Sequence, residues 1–207
     1  VHCDGVQAFC KVETNLKNTC VDAYTISSHK IHGPKGVGAF YLKKGVNLKN
    51  SIFGGGQEFG VRPGTENLPS ILGFVMAAEI MQHNFKKNFE HVKDLKSYFV
   101  SKLKKECDGF VVNSDIENSS PYILSVSFKG IKGEVLLHSL EMEQIFVSTG
   151  SACSSKYAGN RVLSAMGQTL DSIVGNIRFS FCEANTKQEV DKVVESLSKI
   201  LKKLRSL

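Results

Sequence analysis

Residues 27–42 read SSHKIHGPKGVGAFYL, the densest chemistry in a chain of 207 residues. Ser27, Ser28 and His29 precede Lys30, and Gly33, Gly36 and Gly38 follow it, with an apolar run over 36–42 that predicts a strand. Hydroxyls, an imidazole and backbone N–H groups freed by glycine are what a phosphate site requires. A lysine beside such a site serves either as a point-charge clamp or as a Schiff-base nucleophile. The segment is not a P-loop, because GxxxxGK[ST] is absent. Ser27-x-x-Lys30 matches the penicillin-recognising S-x-x-K, but its companion motifs SDN and KTG are missing. Without context the stretch also reads as a glycine-rich turn between strands.

Upstream, Asp4 and Gln7 lie at the end of VHCDGVQAF, a predicted strand. An acid there can cap a turn. Beside a pyridine ring it would instead keep the ring nitrogen protonated, which turns the ring into an electron sink. Downstream comes GGGQEFGVRPGTEN, 54–67, whose glycines suit a flexible loop or a close approach to a ligand or a neighbouring subunit. STGSACSS, 148–155, sets Cys153 among small polar residues. Such a thiol is either a small half-buried residue or a mobile nucleophile, with no histidine base close by in sequence.

The rest of the chain frames these motifs. Hydrophobic residues make up 42% and charged residues 22%, with 18 Gly and 4 Pro, which is ordinary globular composition. No apolar run approaches the ~20 residues of a membrane span, and the first residues lack the basic and apolar pattern of a signal peptide. The net charge is +6, much of it in Lys86, Lys87, Lys93, Lys96, Lys102, Lys104, Lys105 and the tail Lys199 to Arg205. These residues alternate with apolar ones at helical spacing and are expected on solvated helix faces. There is no Trp and no aromatic-basic stripe, so nucleic acid is not an expected partner. Cysteines at 3, 10, 20, 107, 153 and 182 form no CxxC and no zinc-finger spacing, so no metal site is expected.

Strands are predicted over 1–9, 21–26, 36–42, 123–128, 143–148 and 177–181, with helices over 133–140 and from Thr186 onward. Thr186 and Glu189 form a capping box for the last helix. A helical pattern from Asn67 to about residue 105 would span ~50 Å at ~1.5 Å per residue, too long for one compact lobe, so it is expected either to bridge two lobes or to break near His83 to Lys86. The alternation predicts an α/β chain in two parts, 1–85 and 86–207.

Taken in order, DGVQ, SSHKIHGPKGVGAFYL, GGGQE-G-R-GTEN, STGSACSS and IRFSF resemble the cysteine desulfurases of iron–sulfur and nitrogen-fixation type, within the class V aminotransferase family. The resemblance covers the whole chain but only about the C-terminal half of a family member. It implies the aspartate-aminotransferase-like pyridoxal phosphate fold (fold type I). Residues 1–85 would finish the large cofactor domain, and 86–207 would be the small domain with the cysteine loop.

By the same resemblance Lys30 would hold pyridoxal phosphate covalently and shuttle protons. Asp4 would pair with the pyridinium nitrogen, and Gln7 with the ring hydroxyl. Ser27 and His29 would hold the phosphate, joined by Thr65 from the other subunit of a homodimer. Arg178 would clamp the substrate carboxylate. Cys153 would take the sulfur of L-cysteine as a persulfide, release L-alanine, and pass the sulfur to a protein acceptor. That acceptor would be an iron–sulfur scaffold or a sulfurtransferase of tRNA-thiolation or thiamine type, in the cytoplasm.

A selenocysteine lyase shares this scaffold, and a cofactor-free subunit of a sulfur-transfer complex is the reading from another class. Two positions depart from the family pattern: Phe59 stands where Arg is common, and Pro63 where Ser is common. The half of a family member not represented in this sequence should supply the histidine that stacks on the ring and an asparagine near the substrate. Its absence would leave strand edges and an open pocket exposed.

Overall fold

A computed structural model of the chain describes residues 1–150 and 161–206. Cys153 lies outside the described residues. The chain divides into two compact units, Val1–Lys86 and Lys87–Leu207.

In the first unit β1 (His2–Asp4), β2 (Ala23–Ser27) and β3 (Gly38–Leu42) form one sheet in that order. β1 runs parallel to β2, pairing Asp4 with Thr25, and β2 is antiparallel to β3, pairing Ser27 with Gly38. The strand predicted over 1–9 is cut short at Asp4. Asp4 Oδ1 accepts from Val6 N at 3.0 Å, and Gly5 O accepts from Ala8 N and Phe9 N, so the backbone turns where the pattern predicts extension.

α1 (Leu68–His83) starts at Asn67, whose side chain accepts from Ser70 N. It packs Phe74, Ala77, Ala78 and Met81 onto Phe9, Cys10, Ile26 and Ile31. Its other side leaves Leu68, Leu72, Val75, Met76 and Ile80 exposed. The long helical pattern breaks at Asn84, where the amide side chain donates to Ile80 O at 2.9 Å and competes with the helical ladder.

In the second unit β4 (Phe110–Val112), β5 (Ile123–Phe128) and β6 (Asn176–Ser180) form an antiparallel sheet in that order. One face is apolar. Leu124, Val126, Phe128, Ile177 and Phe179 meet Leu95, Phe99 and Leu103 of α2 (Phe85–Glu106), Leu136 and Leu140 of α3 (Gly133–Met142), and Val190, Val194, Leu197 and Leu201. Each such side chain contributes ~1.5–3 kcal/mol on burial. The last four belong to α6 (Lys187–Arg205), which opens on the predicted capping box. Two short helices, α4 (Arg161–Ala165) and α5 (Leu170–Val174), precede β6.

Two expectations change here. Residues 143–148 form no full strand; only Ser148 bridges to Arg178. Lys96 is not solvated but 1% exposed, because the 114–120 segment folds over it and supplies Ser119 Oγ at 2.7 Å and Ser120 O at 3.0 Å as acceptors. Burial pushes the Lys96 amine below its ordinary pKa, partly offset by Asp115.

Candidate functional site

Because β1 and β2 are parallel, their carboxyl ends lie at the same edge of the sheet. In α/β folds that edge is where ligands bind, since the chain leaves each strand there into turns that can present side chains. β1 ends on Asp4 and β2 on Ser27. Directly after β2, Ser28–Ile31 form a 3-10 turn closed by His32 in the left-handed region at φ 67°.

That turn sorts its residues by burial. Ser28 and Ile31 point inward, with Ile31 locked beside Phe74 and Met81, while His29 is exposed and Lys30 half-buried. Ser27 Oγ and His29 Nδ1 lie 2.8 Å apart, so hydroxyl and imidazole are presented as one unit beside Lys30. Gly38 permits this corner: a Cβ there would sit 2.5 Å from Ile26 O, too close for β3 to pair with the end of β2.

Asp4 is exposed, and among the described residues only one of its carboxylate oxygens takes a hydrogen bond. Gln7 is exposed in the turn three residues on. The corner therefore offers an acid, a hydroxyl with an imidazole, and an amine at the ends of adjacent parallel strands. That donor set fits the ring nitrogen, the phosphate and the aldehyde of pyridoxal phosphate.

Thr65 is exposed in the loop before α1, and among the described residues no hydrogen bond ties it to this corner. In the same loop Gly64 N donates to Gln57 Oε1 at 3.2 Å. Glu58 and Phe59 both carry positive φ, 49° and 57°, with Phe59 fully exposed.

Arg178 belongs to the second unit. Its backbone N–H donates to Ser148 O at 2.6 Å and its C=O accepts from Ser148 N at 3.2 Å. Ser148, the first residue of the STGSACSS stretch, is thus the backbone partner of Arg178. Arg178 Nε is buried and has no hydrogen-bond partner among the described residues. A buried guanidinium N–H is suited to an acceptor such as a carboxylate oxygen.

Sequence reasoning missed the polar residues around Arg178. Asn113, Ser125, Ser127 and Asn176 form a hydrogen-bonded cluster on its face of the sheet. The signal was present in ILSVSF, where serines alternate with apolar residues. A separate cleft of about 280 Å³ between residues 144–147 and the start of α6, lined by Phe99, Phe146 and Phe181 among others, holds none of the predicted site residues.

Comparison with known proteins identifies the family and the fold. The aminotransferase class-V family matches residues 1–193. The cysteine desulfurase of Nostoc sp. is 39% identical over 207 residues, covering 100% of this chain and 52% of that protein. A solved NifS-like protein superposes with a TM-score of 0.88 at 39% identity, covering 97% of this chain and 52% of that one. SspA in complex with cysteine superposes with a TM-score of 0.69 at 27% identity, covering 89% of this chain and 51% of that one. The chain thus spans about half the length of the curated relatives it matches. Its mixed α/β architecture is that of the fold type I, aspartate-aminotransferase-like proteins. On the family match over residues 1–193 and the fold it shares, the chain belongs to the class-V aminotransferase family.

Proposed function

We propose that this chain is part of a pyridoxal-phosphate-dependent cysteine desulfurase, and that the Val1–Lys86 unit belongs to its cofactor domain and the Lys87–Leu207 unit to its small domain. The observation that carries the reading is the convergence of Asp4 with Ser27, His29 and Lys30 at the carboxyl ends of β1 and β2. The relatives support the substrate: they are named cysteine desulfurases, and the SspA structure holds cysteine.

When bound, the cofactor supplies an electron sink that weakens the bonds around the amino-acid Cα. Asp4 then keeps a proton on the ring nitrogen, with Gln7 at the ring hydroxyl. Ser27 and His29 hold the phosphate, and Thr65 reaches it from a second subunit of a homodimer. Lys30 anchors the aldehyde through Nζ and carries protons to and from the substrate. Arg178 fixes the substrate carboxylate by charge-assisted hydrogen bonds.

The Cys153 thiolate attacks the substrate sulfur. The S–Cβ bond breaks, an S–S bond forms, and a proton is delivered to Cβ. L-cysteine plus the Cys153 thiol gives L-alanine plus the Cys153 persulfide, which balances without an outside oxidant. The persulfide then passes to a protein acceptor, an iron–sulfur scaffold or another sulfurtransferase. The cytoplasm, where thiols are kept reduced, is the setting proposed for this chemistry.

The test is L-cysteine turnover by the chain assembled with a polypeptide that supplies the rest of its relatives' length. Alanine release is expected, with an alkylation-trapped persulfide on Cys153. Cys153→Ala is expected to lose the persulfide and keep pyridoxal phosphate binding. A persulfide on another cysteine, or loss of the cofactor in Cys153→Ala, would overturn the assignment.

A further inference from the structure

The β4–β5–β6 sheet has a polar face as well as an apolar one. Leu124, Val126 and Phe128 enter the core, so the strand period of two turns Ser125 and Ser127 to the other side, as it does Asn176 and Arg178 of β6. On that side Ser125 sits between two neighbours in a row across the sheet. Asn113 N donates to Ser125 O at 2.9 Å on the β4 side, and Arg178 is the register partner on the β6 side.

Ser125 Oγ receives two amide hydrogens. Asn176 Nδ2 lies at 2.7 Å and Asn113 Nδ2 at 3.2 Å. A hydroxyl has two lone pairs and one hydrogen, so with both lone pairs occupied the hydrogen points elsewhere. The neighbouring Ser127 shows the completed version. It accepts from Asn113 Nδ2 at 2.8 Å and donates to Ser172 O at 2.6 Å. Among the described residues the Ser125 hydroxyl makes no donated hydrogen bond, none even to the unpaired Asn113 Oδ1, and Ser125 is only half-buried. The two amides that aim it are nearly enclosed, Asn176 at 1% and Asn113 at 9% exposure, so they cannot turn away to water.

Arg178 spends its backbone N–H and C=O on Ser148, so Ser125 and Arg178 face each other as a non-hydrogen-bonded pair. In such pairs the Cα atoms lie ~4.5 Å apart and the side chains are at their closest. One hydroxyl hydrogen and one guanidinium Nε–H, both without acceptors, therefore stand side by side on one face. A carboxylate, with two oxygens and several lone pairs, complements such a pair.

We propose that Ser125 is a second carboxylate-binding residue, donating its hydroxyl hydrogen to the same anion that Arg178 holds. The proposal rests on the reading of Arg178 as the carboxylate clamp. It gives the amides of Asn113 and Asn176 a positioning role, fixing the rotamer of a hydroxyl that would otherwise spin.

The experiment titrates the isotope-labelled chain with sodium acetate, using acetamide as the neutral control, and follows the Arg178 Nε–H and Ser125 resonances by NMR. Ser125→Thr keeps the hydroxyl and Ser125→Val removes it at constant shape; Ser125→Ala replaces the latter if it does not fold. Both resonances are expected to move with acetate and not with acetamide. Ser125→Thr is expected to bind within about twofold of the parent, and Ser125→Val about ten- to a hundredfold more weakly, the worth of one hydrogen bond to a charged group. Parent-like binding by a folded Ser125→Val, with binding lost in Arg178→Ala, would overturn the role of Ser125 and leave that of Arg178. Parent-like binding by Arg178→Ala would overturn both.

Discussion

Gly5 lies beneath the ring of Tyr24: a Cβ at position 5 would fall 1.8 Å from Tyr24 Cζ. Tyr24 is 6% exposed and lies in the central strand of its sheet, so it cannot move aside without disturbing the β1–β2 pairing that sets Asp4 in place. Gly5→Ala is expected to destabilise the chain by ~1–3 kcal/mol, the usual cost of overpacking. Gly56→Ala, where nothing stands within 4 Å of the added methyl, is expected to stay within ~0.5 kcal/mol. Urea denaturation of the two variants checks this; equal midpoints would contradict it. At this scale the sequence was partly legible. Lys30 and its hydroxyl and imidazole neighbours announced themselves by type and spacing. Lys96 did not, because its burial depends on Ser119 and Ser120, more than twenty residues away, folding over it.

At the scale of elements, local signals transferred well and pairing did not. The capping box of α6 was readable because it is a four-residue pattern. Thr186 Oγ1 accepts from Glu189 N at 3.3 Å, and Glu189 Oε2 accepts from Thr186 N at 2.7 Å. Thr186→Ala is expected to cost ~1 kcal/mol, read as a lower urea midpoint. The Thr186 N–H holds the Glu189 carboxyl below its ordinary pKa of 4.5. A depressed carboxylate contributes stability above its unfolded pKa and loses it as pH falls through the lower, folded value. The difference between parent and Glu189→Ala should therefore be full at neutral pH and shrink under acid; a difference unchanged at low pH would contradict the assignment. The 143–148 segment shows the converse. Its alternation suits a strand, yet only Ser148 finds a partner. The parallel pairing of β1 with β2 joins residues some twenty positions apart, and no local pattern encodes it.

For the molecule as a whole, the informative feature of the first unit is what α1 leaves uncovered. The helix is apolar on every side, which ordinarily means burial on every side. Phe74 and Met81 are buried, while Leu68, Leu72, Val75, Met76 and Ile80 are exposed, as are Phe53 and Phe59 in the loops before it. Contiguous exposed apolar surface marks a site of association. The chain spans about half the length of its relatives, so the central claim is best tested both on the chain alone and on the chain joined by a polypeptide supplying the remainder. The measurement is incubation with pyridoxal phosphate, reduction with borohydride, and mapping of the mass tag by peptide mass spectrometry. The account predicts a yellow completed protein tagged on Lys30, with the tag lost in Lys30→Ala. A completed protein tagged on another lysine, or left untagged, would contradict it.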